Sequence, residues 1–179
     1  MPRTLLFCCC LSLVGCLNAA DPNRSAGPAA PAPAADTIPF PVYLDFDAFE
    51  PWLQPGNDTT FVFNFWATWC QPCLAEMPLF ERLIAETADQ PVRVVLVSMD
   101  FPRDILGKLV PFVSQRQLTP YVLCLADLDY NSWIDRVSPA WDGAIPFTLV
   151  VNRDRREHMT GEWPDYEALR AWVRGAAGG

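Results

Sequence analysis

Positive charge is scarce in this chain. Lys108 is its only lysine and His158 its only histidine, and 13 basic residues stand against 21 acidic ones for a net charge of −8. No basic patch of the kind that neutralises phosphates is present, so the sequence predicts no nucleic-acid partner. Charged residues make up only 19% of the sequence against 51% hydrophobic ones, which excludes global disorder. Any run of about 18 apolar residues is also missing, so no transmembrane helix is predicted. Internal repeats are absent. At 179 residues the chain suits one domain of ordinary size.

The seven cysteines are unevenly placed. In the first twenty residues Arg3 is the only charge, and Leu5 to Leu17 ("LLFCCCLSLVGCL") is a short apolar run. A charged start followed by an apolar stretch too short to span a bilayer reads as an export signal. Within it, Leu13-Val14-Gly15-Cys16 resembles the lipobox of bacterial lipoproteins. That resemblance implies removal of residues 1–15 and acylation of Cys16, with several chains on one residue giving firm membrane anchoring. An ordinary signal cleaved near Ala19-Ala20 is the alternative. Either way Cys8, Cys9 and Cys10 leave with the signal. Residues 16–39 then comprise the lipidation site and an Ala/Pro-rich tether without apolar periodicity. The expected domain, residues 40–179, keeps Cys70, Cys73 and Cys124 in a compartment where thiols tend to oxidise.

Within the domain, Asp45 to Leu53 is a short helix candidate, and Thr59 to Ala67 ("TTFVFNFWA") reads as a buried strand. From Cys70 to about Thr87, apolar residues at Leu74, Met77, Phe80, Leu83 and Ile84 keep helical spacing. Val92 to Asp100 is a near-continuous apolar strand, as in a covered parallel sheet. A helix over Arg103 to Gln115, broken at Pro111, precedes a strand in "PYVLCLAD" and a helical turn over Asn131 to Val137. Ile145 to Asn152 and Arg156 to Trp163 read as two strands joined by Arg153-Asp154-Arg155. "DYEALRAWVRG" closes as an amphipathic helix with Tyr166, Leu169, Trp172 and Val173 on one face. Alternating strands and helices with a late hairpin predict an α/β fold with a mixed sheet flanked by helices.

The chemistry centres on Cys70 and Cys73. A helix N-terminus offers unpaired N–H groups and a partial positive charge, which stabilise a thiolate. Cys70 stands at that start and Cys73 one turn inside, so Cys70 can attack a disulfide and Cys73 can resolve the mixed disulfide. Pro72 fits the first turn, where a missing N–H costs nothing. Two other readings of the pair are an inert structural disulfide and half of a zinc site completed by Cys124 and His158. Cys124, between Leu123 and Leu125, reads as a packed core thiol. No role is assigned to His158. Trp69 is either a hydrophobic cover or a substrate-facing surface, and Trp141 either lines a groove or anchors a loop.

Asn64 to Pro78, "NFWATWCQPCLAEMP", resembles the thioredoxin superfamily and within it the exported TlpA/ResA-like branch. The resemblance spans roughly Phe40 to Arg174. It implies a thioredoxin-like fold with an insertion over about Phe101 to Asp142, ahead of the cis-proline strand. It further implies Cys70 as exposed nucleophile, Cys73 as resolving thiol, Pro78 as a kink in the active-site helix and Pro146 of "GAIPFT" as a cis-proline facing the pair. The Ile145 backbone would then pair with an extended substrate segment, beside Trp69. Plain thioredoxin has a buried aspartate where Asn64 stands, so Glu76 is the candidate proton carrier for Cys73; a solvated helix charge is its plainer reading. The implied activity is thiol–disulfide exchange with no cofactor beyond the Cys70–Cys73 pair and no metal. Reduction is the expected direction, because the Gln71-Pro72 dipeptide lacks the histidine that strong oxidants of the superfamily tend to carry. The implied partners are disulfides of exported proteins or apocytochrome c, with a membrane thiol reductase as electron donor. Oxidation or isomerisation of disulfides, and a redox-inert metal- or thiol-binding module, are the alternatives.

Overall fold

The computed structural model describes residues 38–178. The signal, Cys16 and nearly all of the tether lie outside them. The strands are β1 (Val42–Tyr43), β2 (Thr60–Trp66), β3 (Val92–Ser98), β4 (Val122–Leu125), β5 (Phe147–Val151) and β6 (Arg156–Thr160). The helices are α1 (Phe46–Phe49), α2 (Gln71–Glu86), α3 (Val110–Gln115), α4 (Tyr130–Val137) and α5 (Tyr166–Ala176).

One six-stranded mixed sheet runs in the order β1-β4-β3-β2-β5-β6. β2 is parallel to β3 and antiparallel to β5, and every residue of β2 is buried. Its side chains alternate between two cores, as a strand's period of two requires. Phe61, Phe63 and Phe65 enter a layer with Phe46, Phe49, Trp133 and Trp141 on the α1/α4 side. Val62 and Trp66 enter the opposite layer with Met77, Phe80, Leu169 and Val173 of α2 and α5. Asn64 shares the parity of Val62 and Trp66, so its amide side chain is delivered to the α2 side. The expected α/β class and covered mixed sheet are what the chain adopts.

The inserted segment contributes β4 and α4. β4 does not sit at an edge: it lies between β1 and β3, parallel to both. β1 was not foreseen, because two residues are too few for a periodic pattern; Cys124 N–H and Ala126 N–H donate to the Pro41 and Tyr43 carbonyls at 2.9 and 2.7 Å. The expected helix over Arg103 to Gln115 is composite. A 3₁₀ turn over Pro102–Asp104 passes into a π turn over Ile105–Leu109 and then into α3. Pro111 has no N–H for the Gly107 carbonyl and would crowd it; a wider turn just ahead of the proline accommodates both, where a break was expected. Trp163 lies beyond β6, in the loop before α5.

The α1/α4 layer is largely aromatic. Trp133 is fully buried, stacks on Phe46 with centroids 5.3 Å apart and lies 6.0 Å from Trp141. Its indole N–H has no partner among the described residues. Trp133→Ala is expected to destabilise the domain by about 3–5 kcal/mol in urea unfolding. Trp133→Phe keeps a ring against Phe46 and deletes the unpaired donor, so about half that loss or less is expected.

Candidate active site

β2 ends at Trp66, and the chain turns sharply into α2, with the Cys70 N–H donating to the Ala67 carbonyl at 3.1 Å. Cys70 is the N-cap of α2: its backbone is extended, and its Sγ accepts the Cys73 N–H at 3.3 Å. That places one sulfur on the unpaired N–H groups of the helix start. Cys73, one turn on, is disulfide-bonded to Cys70. Cys73 is fully buried and Cys70 is 5% exposed, so in the disulfide form Cys70 is more enclosed than the expected exposed nucleophile. α2 runs on through Pro78 to Glu86.

The turn between β2 and α2 is held from β3. Thr68 donates its backbone N–H to Asp100 Oδ2 at 3.0 Å and its hydroxyl to Oδ1, while Ser98 Oγ donates to Asp100 Oδ2 at 2.8 Å. Asp100 is 1% exposed. Sequence reading passed over it, although a lone carboxylate closing an apolar strand is a visible signal of a buried hydrogen-bonded role.

Opposite the disulfide, the Ile145–Pro146 peptide bond is cis, and the Ile145 carbonyl oxygen lies 3.8 Å from Cys70 Sγ. Trp141 anchors this loop rather than lining a groove: it is buried, donates its indole N–H to the Ala144 carbonyl at 2.8 Å and stacks on Phe147 at 4.4 Å. Trp69 is 48% exposed and stacks on Phe101 at 6.1 Å, so it covers no core.

Glu76 follows Cys73 by three residues on the same helix face and is 1% exposed, so it is not the solvated helix charge of the plainer reading. Asn64 Nδ2 donates to Glu76 Oε1 at 2.9 Å, and the Trp163 backbone N–H donates to Oε2 at 3.0 Å. The Trp163 indole N–H donates to Thr148 Oγ1 at 3.0 Å. Burial pushes the Glu76 carboxyl from an ordinary 4.5 up to about 7, against the lowering by its two hydrogen bonds and with a further rise from the Glu162 charge. Thr148 and Trp163 were missed: neither residue type announces a role from a strand or a loop, and only folding brings Trp163 to Glu76 and Thr148 to Trp163 and Asn64.

Cys124 is fully buried, and burial pushes its thiol to about 12, so it packs as a core residue. His158 is exposed, stacks on Phe147 at 5.5 Å and has Nδ1 3.4 Å from Ser138 Oγ. Among the described residues no three or more His, Cys, Asp or Glu gather as metal ligands.

Residues 53–156 match the model of the AhpC/TSA family. The chain belongs to that family. It is 54% identical over 56 residues to the thiol-disulfide oxidoreductase ResA of Oceanobacillus iheyensis, covering 31% of this chain and 28% of that one. To ResA of Geobacillus kaustophilus it is 31% identical over 119 residues, 66% of this chain and 63% of that one. The matches thus span from about a quarter to under two thirds of these curated relatives' length. The thioredoxin-related protein of Neisseria meningitidis serogroup B superposes with a TM-score of 0.57 at 24% identity, covering 71% of this chain and 91% of that one. StoA of Bacillus subtilis gives 0.51 at 19% identity, with 66% and 85% covered. These neighbours place the fold as thioredoxin-like.

The carboxyl carries a consequence for stability. Unfolded, Glu76 releases its proton near 4.5; folded, it holds it until about 7. Between these values the native state binds more protons, so stability falls as pH rises through this window, by about 3 kcal/mol on full ionisation. Glu76→Gln should remove that slope from the pH dependence of urea unfolding of the disulfide form; an unchanged slope would assign it to other groups.

Proposed function

We propose that this protein is an exported, membrane-tethered thiol–disulfide oxidoreductase that reduces disulfides of exported proteins, apocytochrome c among them. The observation that carries the reading is the Cys70–Cys73 disulfide at the N-terminus of α2, with Ile145–Pro146 facing it and Glu76 buried behind it. The ResA names of the relatives support the chemistry. The Leu13–Cys16 lipobox and residues 16–39 support the tether, and among the described residues no helix is long and apolar enough to cross a membrane.

In the reduced protein the Cys70 thiolate attacks one sulfur of a substrate disulfide. A mixed disulfide forms and one substrate thiolate departs. The substrate segment lies along the Ile145 backbone as an added strand, against Trp69. Cys73 then passes its proton to Glu76 and attacks Cys70 Sγ, which closes the Cys70–Cys73 disulfide and frees the second substrate thiolate. Two electrons have moved from the dithiol to the substrate. A membrane thiol reductase returns them by the same exchange.

Glu76 accepts the proton only as a carboxylate, in the fraction that grows as pH rises toward and past about 7. Glu76→Gln is expected to slow closure of the mixed disulfide by roughly 100-fold and to flatten its pH dependence, with Cys70 attack nearly unchanged. Stopped-flow reduction of a model disulfide across pH separates the two steps; superimposable profiles would return the proton transfer to water.

Alkylation of the reduced protein at neutral pH should label Cys70 first, with Cys73 and Cys124 lagging, and Cys73→Ala should trap the substrate on Cys70. Preferential labelling of Cys73 would reverse the two roles. For the tether, the intact mass of membrane-extracted protein should exceed that of a chain starting at Cys16 by an acyl-glyceride group; a soluble product starting near Asp21 would identify an ordinary signal.

A further inference from the structure

Two neighbouring loops are joined rung by rung beside the disulfide. Thr68 is hydrogen-bonded to Asp100 through its backbone N–H, 3.0 Å from Oδ2, and through its hydroxyl. The next residue on each side forms the second rung: Trp69 stacks on Phe101, centroids 6.1 Å apart and 19° between planes. The Arg103 guanidinium then lies over the other partner of that stack, 4.7 Å from the Phe101 ring centroid. The buried Asp100 rung holds the exposed rung in place, so the Trp69–Phe101 pair is ordered before any ligand arrives.

Much of this ledge is open. Trp69 is 48% exposed, the Arg103 side chain 77% and Leu106, three residues further on, 57%. An ordered, exposed aromatic pair next to a reactive sulfur offers contact area at low entropic cost. Its charge is equally specific. In a chain of net charge −8, Arg82, Arg116, Arg136 and Arg153 each bind a carboxylate closely: Glu86 at 3.0 Å, Glu81 at 2.7 Å, Asp47 at 2.8 Å and Asp58 at 2.8 Å. Arg103 is only 3.9 Å from Asp104, whose other oxygen is taken by Lys108 at 3.0 Å. Exposed contacts of that length contribute a few tenths of a kcal/mol, so most of the Arg103 charge is still available to a ligand.

We propose that the Trp69–Phe101–Arg103 stack is a docking ledge that selects substrate polypeptides bearing a carboxylate side chain beside the disulfide. The inference rests on the oxidoreductase reading and adds a substrate preference to it. The apolar flank of the substrate cysteine lies on Trp69 and Phe101, and the carboxylate meets the Arg103 guanidinium, which stacking already holds flat on the Phe101 ring. The inserted segment, which carries Phe101 and Arg103, thereby sets specificity for a sulfur carried by α2.

The test uses the reduced protein and two synthetic peptides, each with an internal disulfide and identical but for Glu or Lys beside the attacked cysteine. Wild type should reduce the Glu peptide with kcat/KM about threefold higher, the size of an exposed ion pair, expressed in KM and erased by high salt. Arg103→Glu should invert the preference, and Arg103→Ala should abolish it. Equal kcat/KM for the two peptides with wild type, or a preference that survives Arg103→Glu, would overturn the ledge. Uncharged hydroxyethyl disulfide distinguishes the levels: if wild type reduces it but shows no charge preference, only the ledge fails; if wild type reduces neither it nor the peptides, the oxidoreductase reading fails and takes the ledge with it.

Discussion

The double pairing of β2 is the constraint on which the rest of the structure depends. Flanked by β3 on one side and β5 on the other, the strand cannot slip by one residue without exchanging its phenylalanine face for its Val62–Asn64–Trp66 face. That register aims Asn64 at α2, pairs it across the ladder with Thr148, and sets the point at which the chain leaves the sheet for the Ala67–Cys70 turn. It also pairs Phe65 with Phe147, the residue after Pro146, so the proline loop and the cysteine turn emerge side by side from the same end of adjacent strands. The site is assembled by strand register, and the loops inherit it.

What the register assembles is a sulfur pair at a helix start with a buried carboxyl behind it. The two parts pull in opposite electrostatic directions. The helix N-terminus favours negative charge on Cys70, whereas the interior around Glu76 disfavours it. Asn64 can meet a carboxylate through its Nδ2, as it does here, and a carboxylic acid through its Oδ1, which has no other partner among the described residues. An aspartate at this position would offer only acceptors to an ionised neighbour. The departure from plain thioredoxin at position 64 and the presence of Glu76 are therefore two halves of one arrangement.

Much of this was legible from residue order. β2, α2 and β3 have long, unambiguous patterns, and the thiols, Pro72 and Glu76 lie in one contiguous motif on them. Local patterns failed where the partner is distant or the element is brief. β1 has two residues and exists only because β4 pairs with it. Trp163 reaches Glu76 through its backbone N–H, a group every residue but proline possesses, so its side chain gave no hint of the contact. Trp141 could be a groove wall or an anchor until the Ala144 carbonyl came within 2.8 Å of its indole N–H. The π turn ahead of Pro111 shows the same limit, since a proline forecasts a disturbance without saying whether the helix stops or widens.

The position of β4 has a mechanical corollary. β1 pairs in the sheet with β4 alone, its sole strand neighbour. A load applied through the chain that precedes residue 38 therefore reaches first a two-residue edge strand. Tyr43 of that strand is buried in the aromatic layer and its hydroxyl accepts the Trp52 indole N–H at 2.8 Å, so side-chain packing as well as β4 holds it. The Cys70–Cys73 pair follows β2, with β4 and β3 between it and that edge, so the inserted segment stands between β1 and the sulfur pair.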